Sequence, residues 1–365
     1  MKILHIITDL KQGGTQKILF KLLNNKESSC RHYVVSLKGL GHYGEELKKL
    51  NIKSYSLNMN NKSTNFFKLV KLYKIFKKEQ PNVVQTWMPH SDLIGGLLAK
   101  IAGIKMIIWA EVAFNLGPDV MKFTSRIIIK LNSYLSFIIP NKIIYCAKSA
   151  MNVHEEKGFD KKKSIYIPIG FKVGEKQEEN DRSLSKVFTI GCIARWDPQK
   201  NHKNLLEALK ILDDKKIDYQ CLMASIGIDN QNIELQQVID NVGVNKEKIK
   251  LLGYVENIND IFSKIDLNVL PSSGEAFPNI IAEAMSQEIL CVGTDVGDVS
   301  EIIGEYGWTV KRKDPIALAD AIREAINEFK SDLWLKKVEG AKEQIQKNYP
   351  LQQMISSYYS VWRRN

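Results

Sequence analysis

The residues of this 365-residue chain best suited to chemistry fall into three short segments. In Pro271-Ser-Ser-Gly-Glu275-Ala-Phe-Pro278-Asn-Ile-Ile-Ala-Glu283, seven residues separate two carboxylates, and Pro278 fits the first turn of a helix, where its missing N–H costs nothing. Glu275 then falls in the loop before that helix, where a carboxylate accepts hydrogen bonds from ligand hydroxyls. Glu283 falls in the second turn, placed to hold a vicinal diol such as ribose. The N–H groups from Phe277 to Ile280, Pro278 excepted, stay free for polar ligand atoms. A helix-dipole acid accounts equally for Glu275, and an exposed helix position for Glu283. In the second segment Arg195 and Lys200 put two cations five residues apart after an apolar run; an Arg fork and a Lys point charge suit a diphosphate, although surface loops also carry both. The third is Gly13-Gly14-Thr-Gln-Lys17. Two glycines let the backbone approach a ligand, and a helix start offers N–H groups to an anion, but without a full GxGxxG the segment reads equally as a tight turn.

Such loops need strands to carry them. Residues 2–8 read as a short buried strand, followed by a Gly-Gly turn and an apolar-periodic helix from about Thr15 to Leu23. Strand patterns recur at 32–37, 53–57, 83–86, 106–109 and 142–146, alternating with helical ones near 43–50, 65–79, 90–102, 120–138 and 149–157. That alternation predicts a parallel sheet covered by helices on both faces. The stretch 171–186 is polar and aperiodic and reads as a linker. Strands at 187–193, 220–224, 248–252 and 267–270 then alternate with helices at 201–212, 233–241 and 257–264. The expected organisation is α/β throughout: a doubly wound domain over 1–170, the linker 171–186, a second such domain over 187–348, and a segment 349–365 holding a final helix. In that helix Met354, Tyr358 and Trp362 share one face, as a packing stripe docked across the domain boundary. Ligands of such sheets bind outside the carboxyl ends of the strands, where all three segments lie.

Composition narrows the classes further. Hydrophobic residues make up 44% and charged residues 25%, which suits a folded protein and excludes a disordered or collagen-like one. The five cysteines are odd in number and at least 29 residues apart, so no CxxC metal site or small disulfide framework follows from them, and a reducing compartment is expected. No secretory signal is read at the N-terminus, and the apolar stretch 127–144 is too interrupted to span a bilayer. Charge is unevenly spread. Residues 1–174 carry 28 Lys and Arg against 11 Asp and Glu, whereas 175–365 carry 24 against 30. The first half therefore faces either nucleic acid or an acidic lipid surface, unless its lysines serve only solubility.

Taken in order, the glycine turn, the Arg195/Lys200 pair and the Glu275/Glu283 pair resemble glycosyltransferase family four, whose members have the GT-B architecture of two facing Rossmann-like domains. The stretch Leu270 to Trp308 looks typical of the branch that builds bacterial surface polysaccharides. The resemblance implies that Glu275 contacts the donor sugar hydroxyls, Glu283 the ribose, and Ala276, Phe277, Pro278, Asn279 and Ile280 the donor through their loop. Arg195 and Lys200 would neutralise the departing diphosphate, and the amides of Gly13 and Gly14 would reach it from the first domain. His90, in Trp87-Met-Pro-His-Ser, resembles the histidine the family places near the anomeric carbon, there to orient donor or acceptor. The implied activity is retaining transfer of a hexosyl or N-acetylhexosaminyl group, without metal or other cofactor, from a nucleotide sugar, expected to be a UDP-sugar. The implied acceptor is a lipid-linked (polyprenyl diphosphate) saccharide at the cytoplasmic face of the cell membrane. Two departures bear on the acceptor side: Ile169-Gly170-Phe171-Lys172 replaces an Asn-Gly-Ile-Asp motif, and Glu111 stands where relatives often have His or Arg.

The basic first half then has a specific reading. Over 65–78, Phe66, Leu69, Val70, Tyr73 and Phe76 recur at helical spacing with Lys68, Lys71, Lys74 and Lys78 between them, so this helix is expected to contact an anionic membrane surface; a solvated lysine face is the plainer reading. A second basic apolar stretch, 121–130, points the same way. A GT-B nucleotide-sugar epimerase would need no lipid surface. A nucleic-acid-binding protein would need a reading module that the sequence lacks.

Overall fold

The structure is a computed structural model that describes all residues except 12, 60–64, 112–122, 173–186 and 364–365. The chain divides into two compact units, one of Met1–Ile169 with the C-terminal segment from Gln352, the other Gly170–Leu351.

In chain order the first unit contains β1 (Lys2–Ile7), α1 (Gly14–Asn24), β2 (Arg31–Ser36), α2 (Tyr43–Lys49), β3 (Lys53–Ser56), α3 (Asn65–Glu79), β4 (Val83–Trp87), α4 (Pro89–Ser91), α5 (Leu97–Ile101), β5 (Met106–Glu111), α6 (Phe123–Leu135), β6 (Lys142–Tyr145), α7 (Lys148–Glu156) and β7 (Ser164–Tyr166). All strand pairs are parallel in the order β3-β2-β1-β4-β5-β6-β7, with Ile3 opposite both His32 and Val83. Strand order reverses between β1 and β4. Right-handed crossovers therefore put α1 and α2 on one face and α3, α5, α6 and α7 on the other. Central strands covered on both faces need no polar alternation, and β4 is buried at every residue.

Two local readings change here. The single helix expected over 90–102 is α4, a π-helical turn over Asp92–Gly96 and α5. Gly95 and Gly96 lie so close to Ile6 and the Trp109 indole that a Cβ on either would clash, and the wider turn accommodates that approach. In α3 the packing face is Leu72, Ile75 and Phe76; Phe66 and Val70, expected on the apolar side, are exposed. Strand β7, only three residues long, escaped the sequence pattern.

The second unit contains β8 (Thr189–Ile193), α8 (His202–Asp214), β9 (Gln220–Ala224), α9 (Ile233–Val242), β10 (Ile249–Leu251), α10 (Asn259–Phe262), β11 (Leu267–Leu270), α11 (Asn279–Ser286), β12 (Leu290–Thr294), α12 (Val299–Ile303), β13 (Trp308–Val310), α13 (Pro315–Glu328) and α14 (Asp332–Asn348). Its parallel sheet has the order β10-β9-β8-β11-β12-β13, reversing between β8 and β11. Most of the linker expected over 171–186 lies outside the described residues; Phe171, its first residue, is buried and bridges to Pro350.

One glycine in this unit is required by its surroundings. Gly297 has φ +61, and a Cβ there would collide with the carbonyl oxygens of Glu275 and Ala276. The loop after β12 therefore presses directly on the loop after β11, and Asp298 N donates to Ala276 O at 3.0 Å.

The last helix, α15 (Leu351–Arg363), buries Met354, Tyr358 and Trp362 as its stripe predicts, and packs on the first unit. Tyr358 stacks on Trp87 with ring centroids 5.9 Å apart, and the Trp362 indole donates to Gln85. A buried chain of hydrogen bonds reaches the helix from the sheet. Trp87 Nε1 donates to His5 Nδ1 at 3.3 Å, His5 Nε2 lies 3.0 Å from His32 Nδ1, and His32 Nε2 lies 3.1 Å from Tyr359 Oη. Because an indole N–H only donates, neutral His5 must carry its proton on Nε2 and pass the same polarity to His32. The Tyr359 oxygen then accepts from His32 and from the Glu27 N–H, 2.8 Å away. No helix among the described residues is long and apolar enough to cross a membrane.

Two predictions follow from this packing. Burial, with His32 nearby, holds His5 well below the usual imidazole range, and burial, with Lys26 and the N-terminus nearby, lowers His32 from 6.5 to about 4. A depressed histidine confers stability that is complete above pH 6.5 and is lost as pH falls toward about 4, where the unfolded chain takes up protons the folded one refuses. Thermal unfolding across that window should show a falling Tm, and His32→Phe should flatten the slope; an unchanged slope in that variant would assign the acid loss to other groups. Gly297→Ala should lower the urea midpoint by the equivalent of about 1–2 kcal/mol or more, the cost of a left-handed backbone before any collision is counted. Gly39→Ala, at a position with open space around it, should leave the midpoint unchanged.

Candidate active site

The most organised polar cluster of the second unit lies at the C-terminal ends of β8 and β11, on either side of the strand-order reversal. After β8 the chain makes a 3-10 turn over Pro198–Lys200 whose first N–H groups are capped by Asp197: its Oδ1 accepts from Gln199 N at 2.9 Å. Asn201 then adopts a left-handed conformation, φ 48, which Asn tolerates, and α8 begins at His202. This local geometry directs Lys200 toward the loop after β11.

Lys200 Nζ lies 2.5 Å from Glu275 Oε1, with both side chains largely buried. Ser272 Oγ donates to the same oxygen at 2.7 Å. Glu275 Oε2 makes no hydrogen bond among the described residues and remains an acceptor. Further bonds join the loops: Ser273 N and Oγ donate to Gln199 O at 2.8 and 3.1 Å, and Gln199 Nε2 donates to Gly274 O. Below them Thr294 Oγ1 donates to Ser272 O at 2.5 Å.

Phe277 is buried between Phe171 and Tyr349, at centroid distances of 5.9 and 5.4 Å. With this ring anchored and Ala276 held by Asp298, the segment 275–280 has a fixed backbone. Pro278 is the residue before α11 and not, as its chemistry suggested, inside the first turn; its carbonyl accepts from Ile281 N at 3.0 Å. The N–H groups of Phe277, Asn279 and Ile280 have no hydrogen-bond acceptor among the described residues, as the first helical donors must. Glu283 stands in the second turn of α11, half-buried.

Arg195 sits apart from the Lys200–Glu275 pair. Its Nε and Nη2 hold Asp197 Oδ2 at 3.2 and 3.1 Å, and the side chain is 53% exposed. Asp197 was not among the residues the sequence singled out, although an Asp-Pro step is itself a turn signal. Ser272 and Thr294 were missed too, because a hydroxyl carries no distinguishing pattern until its partner is known.

In the first unit, Gly13 precedes α1 with an extended backbone, its carbonyl accepting from Lys17 N at 3.0 Å. Gly14 opens the helix. The Gln16 amide reaches back to Asp9 Oδ1 at 3.0 Å, closing the turn, and would clash with a Cβ on Gly13. His90 lies in α4, half-buried, after Met88, whose backbone has a positive φ of 76. Burial and the charge of Lys38 lower its pKa, favouring a neutral imidazole. Two residues on, Asp92 is fully buried with Glu111; burial first, and Glu111 second, push its carboxyl well above the ordinary range, while the Thr86 hydroxyl donates to it. His154 Nε2 lies 3.6 Å from Glu111 Oε2. Glu111 thus belongs to the interior of this unit, and residues 112–115 after it lie outside the described residues.

Of the four lysines expected at a membrane, Lys68 and Lys71 donate to the carbonyls of Asn58 and Ser56, whereas Lys74 and Lys78 are exposed.

Comparison with known proteins gives this site a family. Residues 187–328, which hold both loops, match the family described as Glycosyl transferases group 1. The capsular polysaccharide biosynthesis glycosyltransferase CapM of Staphylococcus aureus is 22% identical over 90% of this chain and 88% of its own. The Escherichia coli UDP-Gal:alpha-D-GlcNAc-diphosphoundecaprenol alpha-1,3-galactosyltransferase is 24% identical over 70% of this chain and 68% of its own. Among solved structures, Anabaena Alr3699/HepE in complex with UDP-glucose shares the fold with a TM-score of 0.84, at 16% identity, covering 99% of this chain and 98% of that one. With that match and that architecture, the chain is a glycosyltransferase of the GT-B fold whose second unit carries the group 1 domain.

Proposed function

We propose that the protein is a retaining hexosyl- or N-acetylhexosaminyltransferase that moves a sugar from a UDP-sugar to a lipid-linked saccharide in bacterial surface-polysaccharide synthesis. The observation that carries the reading is the Lys200–Glu275 pair beside three unsatisfied backbone N–H groups, within the segment that matches the family. The donor and acceptor classes are supported by the name of the E. coli relative, and the setting in surface-polysaccharide synthesis by that of the S. aureus one.

In this reading the bond from the anomeric carbon to the diphosphate oxygen breaks while the acceptor hydroxyl oxygen bonds to that carbon, on the face the diphosphate leaves. The departing diphosphate accepts the hydroxyl proton. Charge grows on the diphosphate, and fixed cations beside it stabilise the transition state more than the ground state. Lys200 and Arg195 supply that charge, so no metal or other cofactor is assigned a role. Glu275 Oε2 accepts from a sugar hydroxyl, Glu283 from the ribose diol, and the free N–H groups of Phe277, Asn279 and Ile280 bind donor oxygens. The first unit contributes the Gly13 and Gly14 amides to the donor phosphates and a neutral His90 that orients the reacting groups. Lys74 and Lys78 of α3, with Lys68 and Lys71 behind them, meet the anionic inner face of the membrane that carries the acceptor.

Thermal-shift measurements in EDTA should show stabilisation by UDP and UDP-sugars, exceeding that by GDP-sugars, and Arg195→Ala should abolish it. Binding that survives in this variant would remove Arg195 from the diphosphate site. Glu275→Gln should retain a wild-type far-UV spectrum and lower kcat by at least ~10²-fold, the cost of one transition-state contact. Wild-type turnover in that variant would end the assignment of Glu275.

A further inference from the structure

His90 sits on a turn that is anchored on both sides. Before it, the Pro89 carbonyl accepts from Asn132 Nδ2 at 2.9 Å; after it, Ser91 Oγ lies 3.2 Å from Oγ1 of Thr8, the residue that follows β1. Asp92 supplies the third anchor. Its N–H donates to Met88 O at 3.1 Å, closing the turn around His90, and its Oδ1 accepts from the Thr86 hydroxyl of β4. The other carboxyl oxygen reaches a cluster that the proposed reaction does not use.

That cluster lies at the carboxyl ends of β5 and β6. Glu111 is the last residue of β5 and pairs in register with Tyr145, the last of β6. Asp92, Glu111 and His154 are all fully buried. Asp92 Oδ2, both oxygens of Glu111 and His154 Nε2 meet only one another among the described residues. His154 is fixed from behind: its ring lies against Tyr145 and Phe159, at centroid distances of 5.3 and 4.9 Å, and its Nδ1 is 2.8 Å from Ala150 O. A carbonyl only accepts, so Nδ1 carries a proton, and Nε2 faces Glu111 Oε2 at 3.6 Å. Two bare carboxylates in contact away from water repel strongly, so a proton lies between Asp92 and Glu111. Burial first, and Glu111 second, make Asp92 the acid that keeps it. Apolar residues of the same volume would fill this space at least as well, so packing alone does not account for the cluster.

We propose that Asp92, held by Glu111 and His154, is a positioning residue for the transfer: by sharing a proton with Glu111 it fixes the turn that presents His90. The inference rests on the role given to His90 above and extends it to three residues that touch no substrate. The groups facing the acid pair are His154 of α7 and Tyr145 of β6, with Glu155 beyond them; burial, then Glu111, push the Tyr145 phenol up, so it stays neutral. Lys100 of α5 and Arg126 and Lys130 of α6, on helices packed against the same turn, are exposed. Loss of the shared proton therefore sets two carboxylates against each other directly beneath His90, and the turn gives way.

The dependence of kcat on pH tests this. Wild-type kcat should fall on the alkaline side. Asp92→Asn keeps both contacts, its Oδ1 accepting from Thr86 and its Nδ2 donating to Glu111, with no proton to lose; the alkaline fall should move to higher pH or vanish. Asp92→Ala should lower kcat ~10²-fold at neutral pH, the cost of a displaced catalytic group, and Asp92→Asn should recover at least ~tenfold of that loss. The KM for the UDP-sugar should stay within ~twofold in both, because the donor contacts lie mainly on the second unit. In a His90→Ala background, adding Asp92→Ala should cost little more, because two residues acting through one contact are not additive. Circular dichroism and the thermal shift with UDP check that each variant is folded and binds donor. An alkaline limb in Asp92→Asn unchanged from wild type overturns the inference, and decides alone if Asp92→Ala does not fold. Full multiplication of the His90 and Asp92 losses overturns it as well, while leaving the role of His90 intact. Wild-type kcat in His90→Ala removes that role and the inference with it.

Discussion

A carboxylate withdrawn from water must find a cation, and in the second unit Glu275 finds Lys200. The two side chains come from loops on opposite sides of the reversal in strand order, so the pair ties together the ends of β8 and β11. Breaking a buried pair by removing one partner costs about 3–5 kcal/mol in comparable settings, because the other charge is stranded. The surrounding structure serves this contact: the Asp197 cap and left-handed Asn201 aim the lysine, while Ser272 shares the carboxylate oxygen. Thr294, Gly297 and Asp298 brace the loop from below, and the Phe171–Phe277–Tyr349 aromatics hold its far end. The result is a rigid cradle with an acceptor oxygen and three donors unspent. A surface already ordered in this way suits the proposed donor, because no loop has to be fixed when it arrives.

The first unit solves a different problem. Its interior contains groups that ordinarily avoid burial: two histidines between sheet and α15, and the Asp92 and Glu111 carboxyls beneath the His90 turn. Each is held in its neutral form or given a partner. The imidazoles form a hydrogen-bonded relay of one polarity from Trp87 to Tyr359, and burial, with Glu111 beside it, favours Asp92 as the acid. On the outside, α6 exposes Phe123, Ile127, Leu131 and Tyr134 beside Arg126 and Lys130, while Ile129, Asn132 and Ser133 are buried.

Much of this was legible in the sequence, for a physical reason. Buried parallel strands are runs of apolar residues and their covering helices have apolar stripes, so the βα alternation, the loops at strand ends and the docking face of α15 could be read from spacing alone. The glycines, the paired cations and the paired glutamates stood out because few other residue types can do their work. Where local chemistry is ambiguous the reading slipped. Gly95 and Gly96 lie in a wide turn because Ile6 and Trp109 crowd them, and β7 is too short to show a period.

Residue types and their periodicity thus determined the doubly wound architecture, the loops that hold the candidate chemistry and the basic character of the first half. Tertiary structure decided the partners. It gave Lys200 to Glu275 and Asp197 to Arg195, required a glycine at 297 because a loop more than twenty residues earlier passes against it, and left Ile127, Leu131 and Tyr134 of α6 exposed. Those are contacts between segments distant in the chain, and a one-dimensional pattern records which groups want a partner without recording which partner they meet.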